Sequence, residues 1–281
     1  MKIMIRNCNV AELDIPLKYA TKLYNEFAIR HPNAFYLRTR QRGMQNWDGK
    51  IKYITKTGQF KIGLLPSVYK RCIELGIKPI IVDMRQPLPK VSKVVTQIGK
   101  YKLRPEQEKA VKAILSNKLG ETPFQIGVLD YTVNAGKTLI MSALYLSYKK
   151  QLKTLLITND SDWLNQARDE FKQYLPGEDI TFVQGKVLNW SNFTIGMVQS
   201  ISRNMKYYQN ELAKIDMVLI DEADQGGSKQ YQNVITRLFN TRVRIGLSGT
   251  IYMSKLAKDK VKNMNLRCFF GDVIAEFKLK D

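Results

Sequence analysis

Leu129-Asp130-Tyr131-Thr132-Val133-Asn134-Ala135-Gly136-Lys137-Thr138 and Met217-Val218-Leu219-Ile220-Asp221-Glu222-Ala223-Asp224, whose first acid lies 84 residues beyond that lysine, decide the fold when they are read together. The first stretch lies where an apolar strand signal near Phe124–Leu129 gives way to a helical pattern over Lys137–Tyr148. Its backbone N–H groups and the positive helix end can therefore cradle a polyphosphate. Thr132, Val133, Asn134, Ala135 and Gly136 would form the cradle, Lys137 would hold the β- and γ-phosphates, and Thr138 would ligate Mg²⁺. As a G-x-x-x-x-G-K-[ST] match it is degenerate, because Tyr131 replaces the first glycine. Asn134, at a position where glycine is usual, is the best non-glycine choice if φ must be positive. In the second stretch, four apolar residues deliver acids to the end of a buried strand. Set beside the loop, Asp221 can hold Mg²⁺, and Glu222 can take a proton from water attacking the γ-phosphate. A strand followed by an acidic helix cap is common for one carboxylate and uncommon for Asp-Glu-x-Asp.

Outward from these stretches the elements alternate. A helix begins at about Pro105, a strand runs through Thr154–Thr158, and a helix through Asp162–Tyr174. Further strands are expected at Phe193–Met197, Met217–Asp221 and Arg242–Leu247. Apolar runs separated by helices indicate an α/β domain whose parallel sheet is covered on both faces. The front of the chain reads differently, as a small α+β domain over residues 1–85. It has a strand at Lys2–Arg6, a helix opened by Pro16, and an extended Phe35-Tyr36-Leu37-Arg38. Asp48-Gly49 then supplies a hairpin signal before Ile51–Ile54, and Thr57-Gly58-Gln59 a turn. A helix over Pro66–Leu75, stopped by Gly76, and a strand at Lys78–Val82 complete it. The basic, proline-containing stretch 86–102 reads as a linker, leaving 103–281 for the second domain.

Composition narrows the class. The net charge is +20, and residues 1–102 hold 20 Lys and Arg against 6 Asp and Glu, so +14 of it sits at the front. A basic surface gains affinity for a polyanion by releasing condensed counterions, so the expected partner is nucleic acid. No stretch approaches the roughly 20 apolar residues of a membrane span, and the amino terminus lacks a secretion-signal pattern, so an intracellular protein is expected. Three separated cysteines and a lone histidine, His31, offer no metal cluster and no histidine-based catalysis.

Asp221-Glu222-Ala223-Asp224, with a phosphate loop upstream and Ser248-Gly249-Thr250 downstream, resembles the superfamily 2 helicases. That resemblance implies a RecA-like domain, a P-loop NTPase fold, and ATP with Mg²⁺ as ligands. It further implies that Ser248 and Thr250 contact Asp224 and couple hydrolysis to strand movement. Leu103-Arg104-Pro105-Glu106-Gln107 resembles the family's adenine-reading motif, which assigns base recognition to Gln107 with Arg104 nearby. More loosely, Ile157–Gln166 and Thr194–Ser200 resemble its strand-contacting motifs. Asn159, Ser161, Gln199 and Ser200 could then bond backbone phosphates, although capping of helices explains the same residue types equally well.

Asn46-Trp47-Asp48-Gly49-Lys50-Ile51 resembles the amino-terminal domain of UvsW-type phage helicases. The likeness extends over nearly the whole chain and implies action on branched DNA: fork regression, branch migration and R-loop unwinding. Arg38, Arg40, Arg42, Lys50 and Lys52 are the phosphate-contact candidates there, and Trp47 is more a core residue than a stacking platform. Such motors need a second RecA-like lobe carrying an arginine, and 31 residues after Thr250 cannot hold one. The expectation is an amino-terminal fragment, poorly active alone. Two alternatives stay open: a double-strand DNA translocase of the restriction or remodelling type, and a non-catalytic nucleic-acid binder with a decayed nucleotide loop.

Overall fold

The computed structural model describes residues 1–91, 93–132, 135–187, 190–251 and 257–278, with 257 and 258 described in backbone only. By contacts the chain divides into two units. One is Met1–Met84 together with the helix Ala257–Phe270, and the other is Arg85–Ile251 together with the strand Val273–Phe277.

The second unit is built on seven strands whose paired neighbours all run parallel. Their spatial order is Ile180–Val183, Phe193–Met197, Thr154–Thr158, Met217–Asp221, Val243–Ser248, Ile126–Tyr131, Val273–Phe277. Four of them, Ile126–Tyr131, Thr154–Thr158, Met217–Asp221 and Val243–Ser248, are buried at every residue, as expected for strands covered on both faces. Between the strand Ile126–Tyr131 and the next long strand in sequence, Thr154–Thr158, two others intervene. The carboxyl ends of Ile126–Tyr131, Met217–Asp221 and Val243–Ser248 therefore lie side by side, and registers pair Asp130 with Ser248 and Asp221 with Leu247. In open parallel sheets such an edge is where ligands bind. Helices Pro105–Ser116, Lys137–Ser147 and Ser161–Tyr174 supply Val111, Ile140, Leu144, Leu164 and Phe171 to the core. The α/β parallel-sheet expectation matches this architecture.

The first unit carries a four-stranded sheet in the order Gln59–Lys61, Val10–Asp14, Lys2–Ile5, Ile80–Asp83. Helices Leu17–Glu26 and Leu65–Glu74 contribute Leu23, Val68 and Cys72 to its buried residues. Helix Ala257–Phe270 packs on the turn Ile62–Leu64 so closely that a Cβ on Gly63 would stand 2.1 Å from the Arg267 carbonyl oxygen. Tyr53 Oη donates to Asn265 Oδ1 at 3.0 Å within the same unit.

Three sequence expectations need correction. Phe35–Arg38 is not extended: it lies within a helix, Ala34–Arg40. Of its residues only Ala34 is buried, and Arg38 and Arg40 fall in the last turn, where the helix dipole favours cations. Asp48-Gly49 does turn the chain, with Gly49 at φ 76° and Asp48 Oδ1 accepting from Lys50 N at 2.9 Å. The strand that follows, Lys50–Lys52, nevertheless pairs with Ala28–Arg30 rather than with residues 35–38. Finally, the contacts draw the unit boundaries elsewhere than 1–85, 86–102 and 103–281. Leu88, Val91, Val94 and Val95 pack against the core of the second unit, and Val95 N donates to Ser147 Oγ, so the stretch read as a linker belongs to that unit. The helix Ala257–Phe270 belongs instead to the first.

Candidate nucleotide site

Gly136 ends the loop and caps the helix Lys137–Ser147 in the left-handed region at φ 73°, a conformation that costs other residues roughly 1–2 kcal/mol. A Cβ there would also lie 2.3 Å from Gln107 Nε2. Backbone conformation thus favours glycine here, and a larger residue would also displace the Gln107 amide. Gln107 Nε2 and Arg104 Nη2 both donate to the Ala135 carbonyl, at 2.9 and 2.7 Å, and Gln107 Oε1 accepts from Arg104 N. The residues expected to read a base are here tied to the loop itself. Val133 and Asn134, also expected in the cradle, lie outside the described residues.

Tyr131, which breaks the glycine pattern, is fully buried, and its Oη donates to the Glu106 carbonyl at 2.8 Å. Burial and the charge of Glu106 push its phenol up to about 12. Its side chain braces the loop strand against the start of helix Pro105–Ser116 and does not occupy the loop as a lost glycine would suggest.

The lysine meets the acids. Lys137 Nζ stands 3.6 Å from Asp221 Oδ1 and 3.5 Å from Glu222 Oε1, although 84 residues separate it from the first. Asp221 is buried, and its Oδ1 has no hydrogen-bond partner; the same holds for Thr132 Oγ1 in the loop. Desolvation holds the Asp221 carboxyl above its ordinary range, with Lys137 pulling the other way. Glu222 is raised by the same cause, again opposed by Lys137 and reinforced by Asp221 and Asp224. Glu222 also occupies the left-handed region at φ 51°, which for a glutamate is local strain of a kind that persists only where its surroundings enforce it. Thr138, first-turn neighbour of the lysine, is buried. A buried carboxylate beside the Lys137 ammonium and a buried threonine in the first turn of the helix are the kinds of oxygen donor that suit a small hard cation bound with phosphate. Among the described residues, no group of three or more His, Cys, Asp or Glu could hold a metal unaided.

Ser248 Oγ donates to Asp224 Oδ1 at 3.0 Å and accepts from Thr250 N at 3.2 Å, with Thr250 Oγ1 at 3.4 Å. Ser248 therefore touches both of the other residues expected to couple. The strand-contact candidates are only partly gathered. Gln199 Nε2 donates to the Asn159 carbonyl at 3.3 Å, while Gln199 Oε1 is buried without a partner. Ser161 is exposed, and the helix it begins is capped by Asp160, which accepts from Asp162 N and Trp163 N. Ser200 Oγ accepts from Gly185 N. In the first unit Arg38, Arg40, Arg42 and Lys50 are exposed. Lys52 is engaged, 3.1 Å from Asp48 and 4.6 Å above the Tyr24 ring. Trp47 is half-buried, donates from Nε1 to the Lys50 carbonyl and meets His31 edge-on.

Sequence reading missed two participants at this edge. Tyr231 is buried with an unpartnered Oη, and the charges of Asp221, Asp224 and Glu222 help burial raise its phenol. Lys278 contacts both Asp130 and Gly249. Neither lies in a pattern that a single sequence would single out.

A seven-stranded parallel sheet with a glycine-capped helix beginning beside its carboxyl edge is the RecA-like core. Residues 100–253 match the family described as "Type III restriction enzyme, res subunit", and the chain belongs to that family. It is similar to the ATP-dependent DNA helicase uvsW of Enterobacteria phage T4, with 24% identity over 249 residues, covering 81% of this chain and 47% of that protein. It also resembles a protein of Acanthamoeba polyphaga mimivirus named as an ATP-dependent RNA helicase, at 26% over 147 residues, 52% of this chain and 27% of that one. The chain thus spans about half the length, or less, of these relatives. Two crystal structures of T4 UvsW share its fold at 20% identity. One has a TM-score of 0.73, covering 98% of this chain and 100% of that one; the other has 0.74, covering 98% and 57%. No helix among the described residues is long and apolar enough to cross a membrane.

Proposed function

We propose that this chain is the nucleotide-binding half of an ATP-dependent DNA motor that remodels branched DNA. The observation that carries the reading is Lys137 standing within 3.6 Å of both Asp221 and Glu222 at the carboxyl edge of the sheet. Lys137 and the loop N–H groups bind the β- and γ-phosphates at the helix end. Thr138 and Asp221 would hold Mg²⁺, which when bound with the nucleotide supplies charge neutralisation on the phosphate oxygens. Glu222, kept basic by desolvation, takes the proton of the attacking water. Gln107 and Arg104 link the base side of the pocket to the loop through the Ala135 carbonyl. Asp224, Ser248 and Thr250 pass the state of the site to the strand-binding surface.

Arg38, Arg40, Arg42, Lys50 and Lys52 are assigned to phosphates of the DNA, with Asn159, Ser161, Gln199 and Ser200 contributing contacts from the second unit. DNA is favoured over RNA because the relative matched over most of this chain is named a DNA helicase. Full turnover is assigned to the company of a second RecA-like lobe, whose arginine is typically worth about 10³–10⁵ in rate.

Glu222→Gln tests the assignment: ATP·Mg²⁺ affinity is expected to hold within about threefold while kcat falls about 10²–10⁴-fold. Unchanged turnover would remove Glu222 from the chemistry. A second reading, translocation on duplex DNA without strand separation, is favoured by the restriction-subunit family match. It predicts displacement of a triplex strand and no release of a duplex strand.

A further inference from the structure

Lys278 directly follows the edge strand Val273–Phe277. Its Nζ donates to Asp130 Oδ1 at 2.5 Å and to the Gly249 carbonyl at 2.9 Å. Asp130 is the residue before Tyr131 at the mouth of the phosphate loop, only 9% exposed. Its register neighbours are Ser248 on one side and Glu276 on the other. A carboxylate in that position costs desolvation energy, and an apolar residue would pack there with less penalty, so a core role alone does not account for it. The ammonium that compensates Asp130 also grips the backbone of the Ser248-Gly249-Thr250 segment. That segment is held from its other side as well, where Ser248 Oγ donates to Asp224. At Gly249 it rests so close to the loop that a Cβ would stand 3.2 Å from both Thr132 Cα and the Tyr131 carbonyl. Ser248–Thr250 is thus fixed between Asp224 and the pin formed by Lys278 and Asp130.

We infer that Lys278, acting with Asp130, is a positioning residue that keeps the Ser-Gly-Thr segment seated on the phosphate-loop strand, so that hydrolysis is converted into strand movement. The inference rests on the motor reading above. Lys278 touches neither nucleotide nor metal in that scheme, and its loss acts on coupling rather than on chemistry.

The test uses the full-length protein, with DNA-stimulated ATPase and strand separation measured side by side. For Lys278→Met, ATP·Mg²⁺ affinity and ATPase are expected within about threefold of wild type. Strand separated per ATP is expected to fall about tenfold, with Lys278→Arg restoring most of the loss. Because Lys278→Met leaves the buried Asp130 charge unpaired, the double variant Asp130→Asn with Lys278→Met removes both charges together. It is expected to fold and remain uncoupled, since the grip on Gly249 is gone. An unchanged ratio of strand separation to ATPase in either variant overturns the inference. So does a parallel fall in affinity, ATPase and separation that Lys278→Arg fails to reverse. Failure of the motor reading looks different: wild type itself would then show no DNA-stimulated hydrolysis.

Discussion

The edge of the parallel sheet and the helix Ala34–Arg40 are both rich in charge, and they hold it in opposite ways. At the sheet edge, Lys137 and Asp221 are largely buried, their separation is fixed by strand and helix ends, and Glu222 sits in a strained backbone conformation. On the helix, Arg38 and Arg40 are exposed, and the packing recorded for Arg40 is its guanidinium 5.3 Å from the Tyr36 ring. Buried charges interact strongly and resist screening, so small displacements matter and the arrangement suits chemistry on one substrate. Exposed charges act through a screened field, which suits binding to any polyanion without reading its sequence. Under the proposed function the two units divide the work: the buried edge serves chemistry on the nucleotide, and the exposed helix serves adhesion to DNA.

After the loss of hydrolysis expected for Glu222→Gln, the largest effect that would sharpen this contrast comes from replacing Arg38, Arg40 and Arg42 together by alanine. DNA affinity is expected to fall about 10²-fold near physiological salt, and the slope of log affinity against log salt to shrink by about 2–3. ATP affinity without DNA is expected to be unchanged. An unaltered salt slope would deny this face a role. A smaller effect concerns pH. Burial raises the Glu222 carboxyl above its ordinary 4.5, and a base works only when ionised. The acid limb of kcat is therefore expected above that value, and absent from the residual rate of Glu222→Gln. The sign for stability follows the same shift: between the ordinary and raised values the folded chain binds more protons than the unfolded, so the contribution of Glu222 to stability weakens as pH rises. A limb at or below the ordinary value would break the claim that the site is desolvated.

Much of the second unit was legible because its signals are local. Unbroken apolar runs such as Met217–Ile220 are hard to place except in a covered strand, and Gly136-Lys137-Thr138 sits at a strand-to-helix junction that the apolar pattern marks by itself. What could not be read depends on distant neighbours. Phe35–Arg38 has the composition of a strand, but extended structure needs a partner, and Lys50–Lys52 is already taken by Ala28–Arg30. Ala257–Phe270 gives no sign in its sequence that it folds against Gly63 of the first unit. Tyr131 looked like a departure from the loop pattern, since its hydrogen bond to Glu106 is visible only once strand and helix are in place. Lys278 was invisible for the same reason.

The central claim, that Lys137, Asp221 and Glu222 surround a triphosphate, is tested most directly by calorimetric titration of ATP·Mg²⁺ into this chain and its Lys137→Ala variant. The account predicts measurable binding to wild type and a loss of at least about 100-fold on removing the ammonium, as befits a charge contact to phosphate in a partly buried site. Equal affinities, or equal absence of binding, would contradict it and leave a basic nucleic-acid-binding protein whose nucleotide loop no longer works.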